Sequence, residues 1–353
     1  MLNINSRALS ATRQLYGELR GAPLYLITLE NSAVRVELIN LGATITAVYA
    51  PDKAGIQKNI VAGFARPEDY LHNPAYFGST VGRYANRIAE GRITVNGTPY
   101  QLPVNNDGNH LHGGFEGFHA KVWEVTQCSD TSGEASVTME YVSADGEEGY
   151  PGNLAVQVQY VLDDTNQLSI RYTATTDKAT PVSLTNHSYF NLSGFEQPLV
   201  TDHLLTINAQ AYTEKSSKNV PTGNILPVAG SSLDFTTPTK IGQNIDSFPA
   251  DMGYDHNFVL QASGKTPAAV LEDPQSGRVL RVFTDLPGIQ MYSSNYWDGS
   301  ITGQQGKPYV KHGAVALEAQ AFPDSPNHAH FPDTILQPGN VYQQIIIFAF
   351  DVQ

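Results

Sequence analysis

The chain has 353 residues, more than one hydrophobic core usually serves, so the expectation is two domains or one unusually large β unit. Charged residues make up only 16%, the formal net charge is −13, and Lys and Arg form no cluster, which excludes nucleic acid and an anionic membrane surface as partners. The single cysteine, Cys128, excludes an internal disulfide and a Cys-rich zinc site and reads as a passively packed residue at a strand end.

Residues 1–24 are polar and interrupted by Arg7, Arg13, Glu18 and Arg20, so they read as a peripheral N-terminal segment without the apolar stretch of a signal peptide. No later run approaches 18 apolar residues, and the expected setting is a cytoplasmic, reducing one with no membrane span. Period-2 alternation then dominates. Val34, Val36 and Leu38 alternate with Arg35 and Glu37, the pattern of a half-buried strand. Pro67 to Asn73 is the one stretch that suggests a short helix. Asn96-Gly97 sits between two strand-like runs and favours a type I′ hairpin, because both residues tolerate positive φ. Alternation over 154–160 and 168–172, flanking Asp163-Asp164-Thr165-Asn166, predicts a second hairpin. Glycines and prolines are spread as turn punctuation, with no repeat, linker or charge block, so the chain reads as one large antiparallel β unit over 1–353, all-β, of sandwich or barrel type.

Four segments break the alternation. Gly78 to Ile88 places Arg83, Asn86 and Arg87 among small residues, a set that fits either a structural ion pair or the binding of carboxylates and hydroxyls. Asn109-His110-Leu111-His112-Gly113-Gly114 holds two histidines at i and i+2. On a strand these point the same way, a spacing open to a metal, but no third ligand follows, and Gly-Gly marks a tight turn or close backbone approach. Thr185 to Leu192 flanks His187 with amides, Tyr189 and Phe190, fitting either a satisfied core histidine or an oriented imidazole. Ala316 to Asn327 carries Glu318 alone in an apolar run. Such a carboxylate has a raised pKa and suits proton transfer, unless it is an edge-strand residue facing water. Together these groups suit acid–base chemistry on a neutral polyol.

Five stretches, in this order, resemble motifs of the aldose 1-epimerase (galactose mutarotase) family: Gly82-Arg83-Tyr84-Ala85-Asn86-Arg87-Ile88, Leu111-His112-Gly113-Gly114, Thr185 to Leu192, Gly253-Tyr254-Asp255-His256-Asn257-Phe258, and Leu317-Glu318 followed by Pro323 to His328. The resemblance runs from about Tyr25 to Phe350. It implies a large antiparallel β-sandwich of the galactose mutarotase type and an enzyme that interconverts the α and β anomers of free hexoses, galactose and also glucose. It further implies Glu318 as general base, His187 as general acid in its imidazolium form, and His112 as a second histidine on the sugar. Asn86, Arg87, Asp255 and Gln290 match substrate-binding positions, and Tyr189 lies beside the acid. Neighbours such as His112 and Arg87 are expected to keep Glu318 ionised. No metal and no other cofactor is implied. The expected partner is a small aldose, and the chain is expected to be a monomer or homodimer. Four rivals stay open: a non-catalytic carbohydrate-binding protein, a hexose-phosphate mutarotase using Arg83, Arg87 and Arg92, a glycosidase pairing Glu318 with Asp255, and a metal enzyme using His110 and His112.

Overall fold

The protein is described by a computed structural model that covers residues 9–131, 133–261 and 265–353. The strands of these described residues assemble into three large antiparallel sheets of five, nine and six strands, with five two-stranded ribbons at their margins. Helical structure among the described residues is limited to short 3-10 turns; the stretch read as a helix forms one such turn over Pro67–His72, opened by its proline. The architecture is all-β and antiparallel, as the alternation predicts, and of sandwich or barrel it is the large sandwich that the family resemblance implies.

The two expected hairpins form. Leu154–Asp163 pairs with Gln167–Thr176 inside the nine-stranded sheet, and Arg92–Val95 pairs with Thr98–Gln101 through Asn96 and Gly97 at φ of 49° and 81°. Cys128 differs from its expected place: it lies inside the strand Glu124–Thr131, half-buried against the core, because pairing with Glu134–Ser143 carries that strand three residues further. The strand Ser10–Leu19, within the polar N-terminal segment, pairs with Ala22–Glu30 at the edge of the five-stranded sheet.

One continuous core joins the three sheets. Ile27, Val36 and Ile45 come from the first, Val158, Ile170 and Phe348 from the second, and Phe258, Ile289 and Leu317 from the third. The third sheet positions the site. Its central strands Asp255–Leu260, Gly288–Tyr292 and Val315–Gln320 run side by side, with Asn257 opposite Gln290 and Gln290 opposite Glu318. Alternate residues of a strand face opposite sides. Phe258, Ile289, Met291, Leu317 and Ala319 therefore enter the core, while Asp255, Asn257, Gln290, Tyr292 and Glu318 share the other face. Loops and ribbons cover that second face too, which is why all six residues of Val315–Gln320 are buried.

Candidate active site

A cleft of about 400 Å³ opens above this polar face. His112, His187, Asn86, Arg87, Tyr189, Asp255 and Glu318 all line it, joining residues spread over more than 230 positions of chain. Gln290 stands one layer back. It borders a smaller hollow behind the cleft and donates from Nε2 to Asp255 Oδ1 at 2.6 Å.

Glu318 sits in mid-strand at 2% exposure, with its Oε2 3.4 Å from His187 Nε2. His187 belongs to a short extended segment held by its own backbone: its N–H donates to the Ser79 carbonyl and its carbonyl accepts from Gly78. Burial raises the Glu318 pKa well above the usual carboxylate range, the nearby Asp255 charge adds to this, and Arg87 opposes it without prevailing. Burial also pushes the His187 imidazole down to about 4, against the opposing pull of its own backbone and of Asp255. Both shifts run against the charges expected of the pair: desolvation opposes the His187 imidazolium and the Glu318 carboxylate alike, and the single nearby guanidinium does not offset it at Glu318. Asp255 behaves in the opposite way. Burial pushes it up, but Arg87, Lys215, His256 and the Gln290 amide together hold it below the ordinary range. Arg87 Nη1 lies 3.6 Å from Asp255 Oδ2 and its Nε donates to Asn106 Oδ1, so the guanidinium is aimed by two partners.

His112 and Asn86 hold each other. The His112 N–H donates to the Asn86 carbonyl at 3.0 Å, and the Asn86 N–H donates to His112 Nδ1 at 3.1 Å. Both residues have left-handed backbones, at φ of 50° and 63°. The turn is forced by Gly113, where an added Cβ would meet the Gly82 carbonyl oxygen at 1.8 Å. An acceptor at Nδ1 leaves the proton of the neutral ring on Nε2, so His112 offers the cleft a donor.

That tautomer also bears on metal binding. Ligand atoms of His112, His187 and Glu318 lie within 4.8 Å of one another, a donor set that zinc accepts in other proteins. With Nδ1 taken by the Asn86 amide and Nε2 protonated, His112 has no free lone pair for a metal, and the trio fits proton transfer better. The spacing His110–His112 fails for another reason. His112 turns out of the strand at positive φ, whereas the His110 ring lies in a separate cluster, Nδ1 against the Pro103 carbonyl and Nε2 against the Tyr150 hydroxyl, both at 2.7 Å. Arg83 is likewise structural. Fully buried, it donates to Pro151, Gly152, Ser143, Ala144 and Thr180, while Arg92 pairs with Glu90 at the surface. Arg87 is thus the only arginine of the three in the cleft, and no phosphate-binding cluster forms from them.

Five aromatic residues that no motif marks also line the cleft: Tyr76, Tyr309, Tyr292, Tyr296 and Trp297. A signal existed for the last two, since Ser293-Ser294-Asn295-Tyr296-Trp297-Asp298 mixes amide, hydroxyl and ring groups as the other site segments do. Aromatic faces beside hydroxyl-binding groups suit a sugar ring.

A buried carboxylate and imidazole walled by aromatic rings and polar groups, set on the face of an antiparallel β-sandwich, suit an enzyme site for a carbohydrate. The aldose 1-epimerase family profile matches residues 25–349. The chain belongs to the aldose 1-epimerase family. It is 43% identical to a galactose mutarotase from Rattus norvegicus, over 97% of this chain and 99% of that protein. It is 39% identical to an aldose 1-epimerase from Escherichia coli, over 94% and 96% of the two chains. A crystal structure of a galactose 1-epimerase from Lactobacillus acidophilus superposes with a TM-score of 0.87 at 30% identity, covering 98% of this chain and 99% of the other. Among the described residues no helix is long and apolar enough to cross a membrane.

Proposed function

We propose that the protein interconverts the α and β anomers of free hexoses, galactose and glucose among them, with Glu318 and His187 as the proton-transfer pair. One observation carries the reading: Glu318 Oε2 and His187 Nε2 face the same space 3.4 Å apart. The O1 hydroxyl and ring O5 of an aldose are two oxygens on one carbon, so each can face one member of such a side-by-side pair.

The steps balance on one shared proton. As the sugar binds, that proton sits on His187 and Glu318 is the carboxylate. Glu318 takes the O1 proton, the C1–O5 bond breaks to give the aldehyde, and His187 delivers its proton to O5. Rotation about C1–C2 turns the other carbonyl face toward O5, and the ring recloses with the transfers reversed. The open-chain stage leaves Glu318 protonated and His187 neutral. This is the direction in which burial shifts both groups. His112, with its proton on Nε2, donates to a sugar oxygen. Arg87, Asp255 and Asn86 hold hydroxyls, Tyr189 packs beside the acid, and Gln290 orients Asp255.

Opposite shifts on two carboxylates are also the pattern of a glycoside hydrolase. Here Asp255 is engaged at both oxygens, by Gln290 and Arg87, which disfavours it as a nucleophile. The test is polarimetric equilibration of freshly dissolved α-D-galactose, α-D-glucose and galactose 6-phosphate, with a nitrophenyl galactoside as the hydrolysis control. Acceleration on the free hexoses supports the reading. Acceleration on the phosphate alone, or nitrophenol release, overturns it.

A further inference from the structure

The orientation of His187 has an unusual source. A catalytic histidine is commonly oriented by a hydrogen bond on its second ring nitrogen. His187 Nδ1 is buried and makes no hydrogen bond to another described residue. Two phenol rings instead lie near-parallel to the imidazole. Tyr189 stacks on it at 4.8 Å between centroids and 28° between planes, and Tyr76 lies over it at 5.9 Å and 20°. Tyr76 also meets the His112 ring edge-on at 4.7 Å, so one side chain touches both cleft histidines.

Tyr76 is itself firmly placed. Its backbone is left-handed at φ 57°, its N–H donates to the Asn73 carbonyl, and its carbonyl accepts from Ser79. The Asn73 side chain spans the same turn, accepting from the Phe77 N–H and donating to the Phe77 carbonyl. The turn ends at Gly78, whose N–H donates to the His187 carbonyl. Ring and backbone thus fix His187 through the same short loop. Stacked phenol faces are electron-rich, so they favour an imidazolium against them as well as fixing its plane.

We propose that Tyr76 is a positioning residue which, with Tyr189, clamps the His187 ring so that Nε2 stays aimed at Glu318 and the anomeric centre. The inference rests on the reading of His187 as the proton donor. It requires the ring of Tyr76 and not its hydroxyl.

The test is a double-mutant cycle read by polarimetry on galactose. Tyr76→Phe keeps the ring and is expected within about twofold of the native kcat, while Tyr76→Leu is expected to lower kcat about tenfold, with KM changed less than about twofold. His187→Asn is expected to lower kcat by about 10²–10⁴, and adding Tyr76→Leu to it should do nothing more. A rise in KM with native kcat in Tyr76→Leu would make Tyr76 a sugar contact and overturn the proposal, as would an equal tenfold loss in both backgrounds or a Tyr76→Phe variant as slow as the Leu variant. A His187→Asn variant at native rate would instead remove the donor role itself, so the two failures are separable. If Tyr76→Leu melts well below the native protein, Tyr76→Met supplies the same comparison with a longer side chain filling the gap.

Discussion

Replacing Glu318 by glutamine exchanges one carboxylate oxygen for an amide nitrogen in a side chain that is 2% exposed, with almost no change of volume. A positioned general base contributes about 10²–10⁴ in rate, or roughly 2.7–5.5 kcal/mol of barrier at 1.36 kcal/mol per tenfold. The Gln variant should lose that factor in kcat. Its fold should not suffer. Glu318 is raised by burial and by the Asp255 charge, and a neutral amide removes both penalties, so the melting temperature should hold or rise. Galactose affinity should stay within severalfold, because Arg87, Asp255 and His112 are untouched. Polarimetry gives kcat, calorimetric titration with galactose gives affinity, and a thermal melt checks folding. A folded variant that binds galactose and turns over within about threefold of native would refute the assignment of Glu318 as base. Loss of binding and rate together would make it a sugar ligand instead.

Two further predictions concern stability. His110 and His119 are pushed by burial to about 4 and His256 to about 3, each below its unfolded value of about 6.5. The unfolded chain therefore takes up protons first as pH falls. The stabilisation these rings give is complete above about 6.5 and is lost as pH falls toward 4, by at most about 1.4 kcal/mol per pH unit per ring. Urea denaturation should show at least about 2 kcal/mol less stability at pH 5 than at pH 7; equal midpoints at the two would refute it. Arg83→Leu strands the carbonyls of Pro151, Gly152, Ser143 and Ala144 in a buried site. It should cost about 3 kcal/mol or more in urea denaturation while leaving the galactose KM unchanged, and an unaltered midpoint would show that Arg83 is not a structural anchor.

The strands were readable because one face of each is buried, which writes a period of two directly into runs such as Leu154 to Tyr160 and its hairpin partner. Glu318 was readable for a related reason, as the one charge in a run that packs on both sides. What could not be read were contacts made by loops. Tyr76 reaches three histidines, His112, His119 and His187, from a turn whose shape depends on Asn73 and Gly78, and nothing in its immediate neighbours marks it. His110 and His112 do not share a face, because a strand of two residues ends before the second histidine and the left-handed turn there sends the rings to different places. The downward shift at His187 and the failure of Arg87 to offset the rise at Glu318 lay beyond the linear chain. They depend on how completely the cleft is walled and on Asp255, 63 residues before Glu318 in the sequence, lying near enough to oppose its ionisation.

The alternation that puts Glu318 in the cleft and Leu317 in the core limits how this stretch can vary over generations. Losing or gaining one residue ahead of Glu318 within Val315–Gln320 would exchange the two faces, turning the carboxylate into the apolar core and a leucine toward the sugar. Substitutions in this strand can be graded and partly compensated, whereas a change of length is all or nothing. Descendant sequences should therefore keep a fixed residue count from Val315 to Gln320, and insertions should collect in the exposed turns, such as Asp163 to Gln167, where no face is at stake.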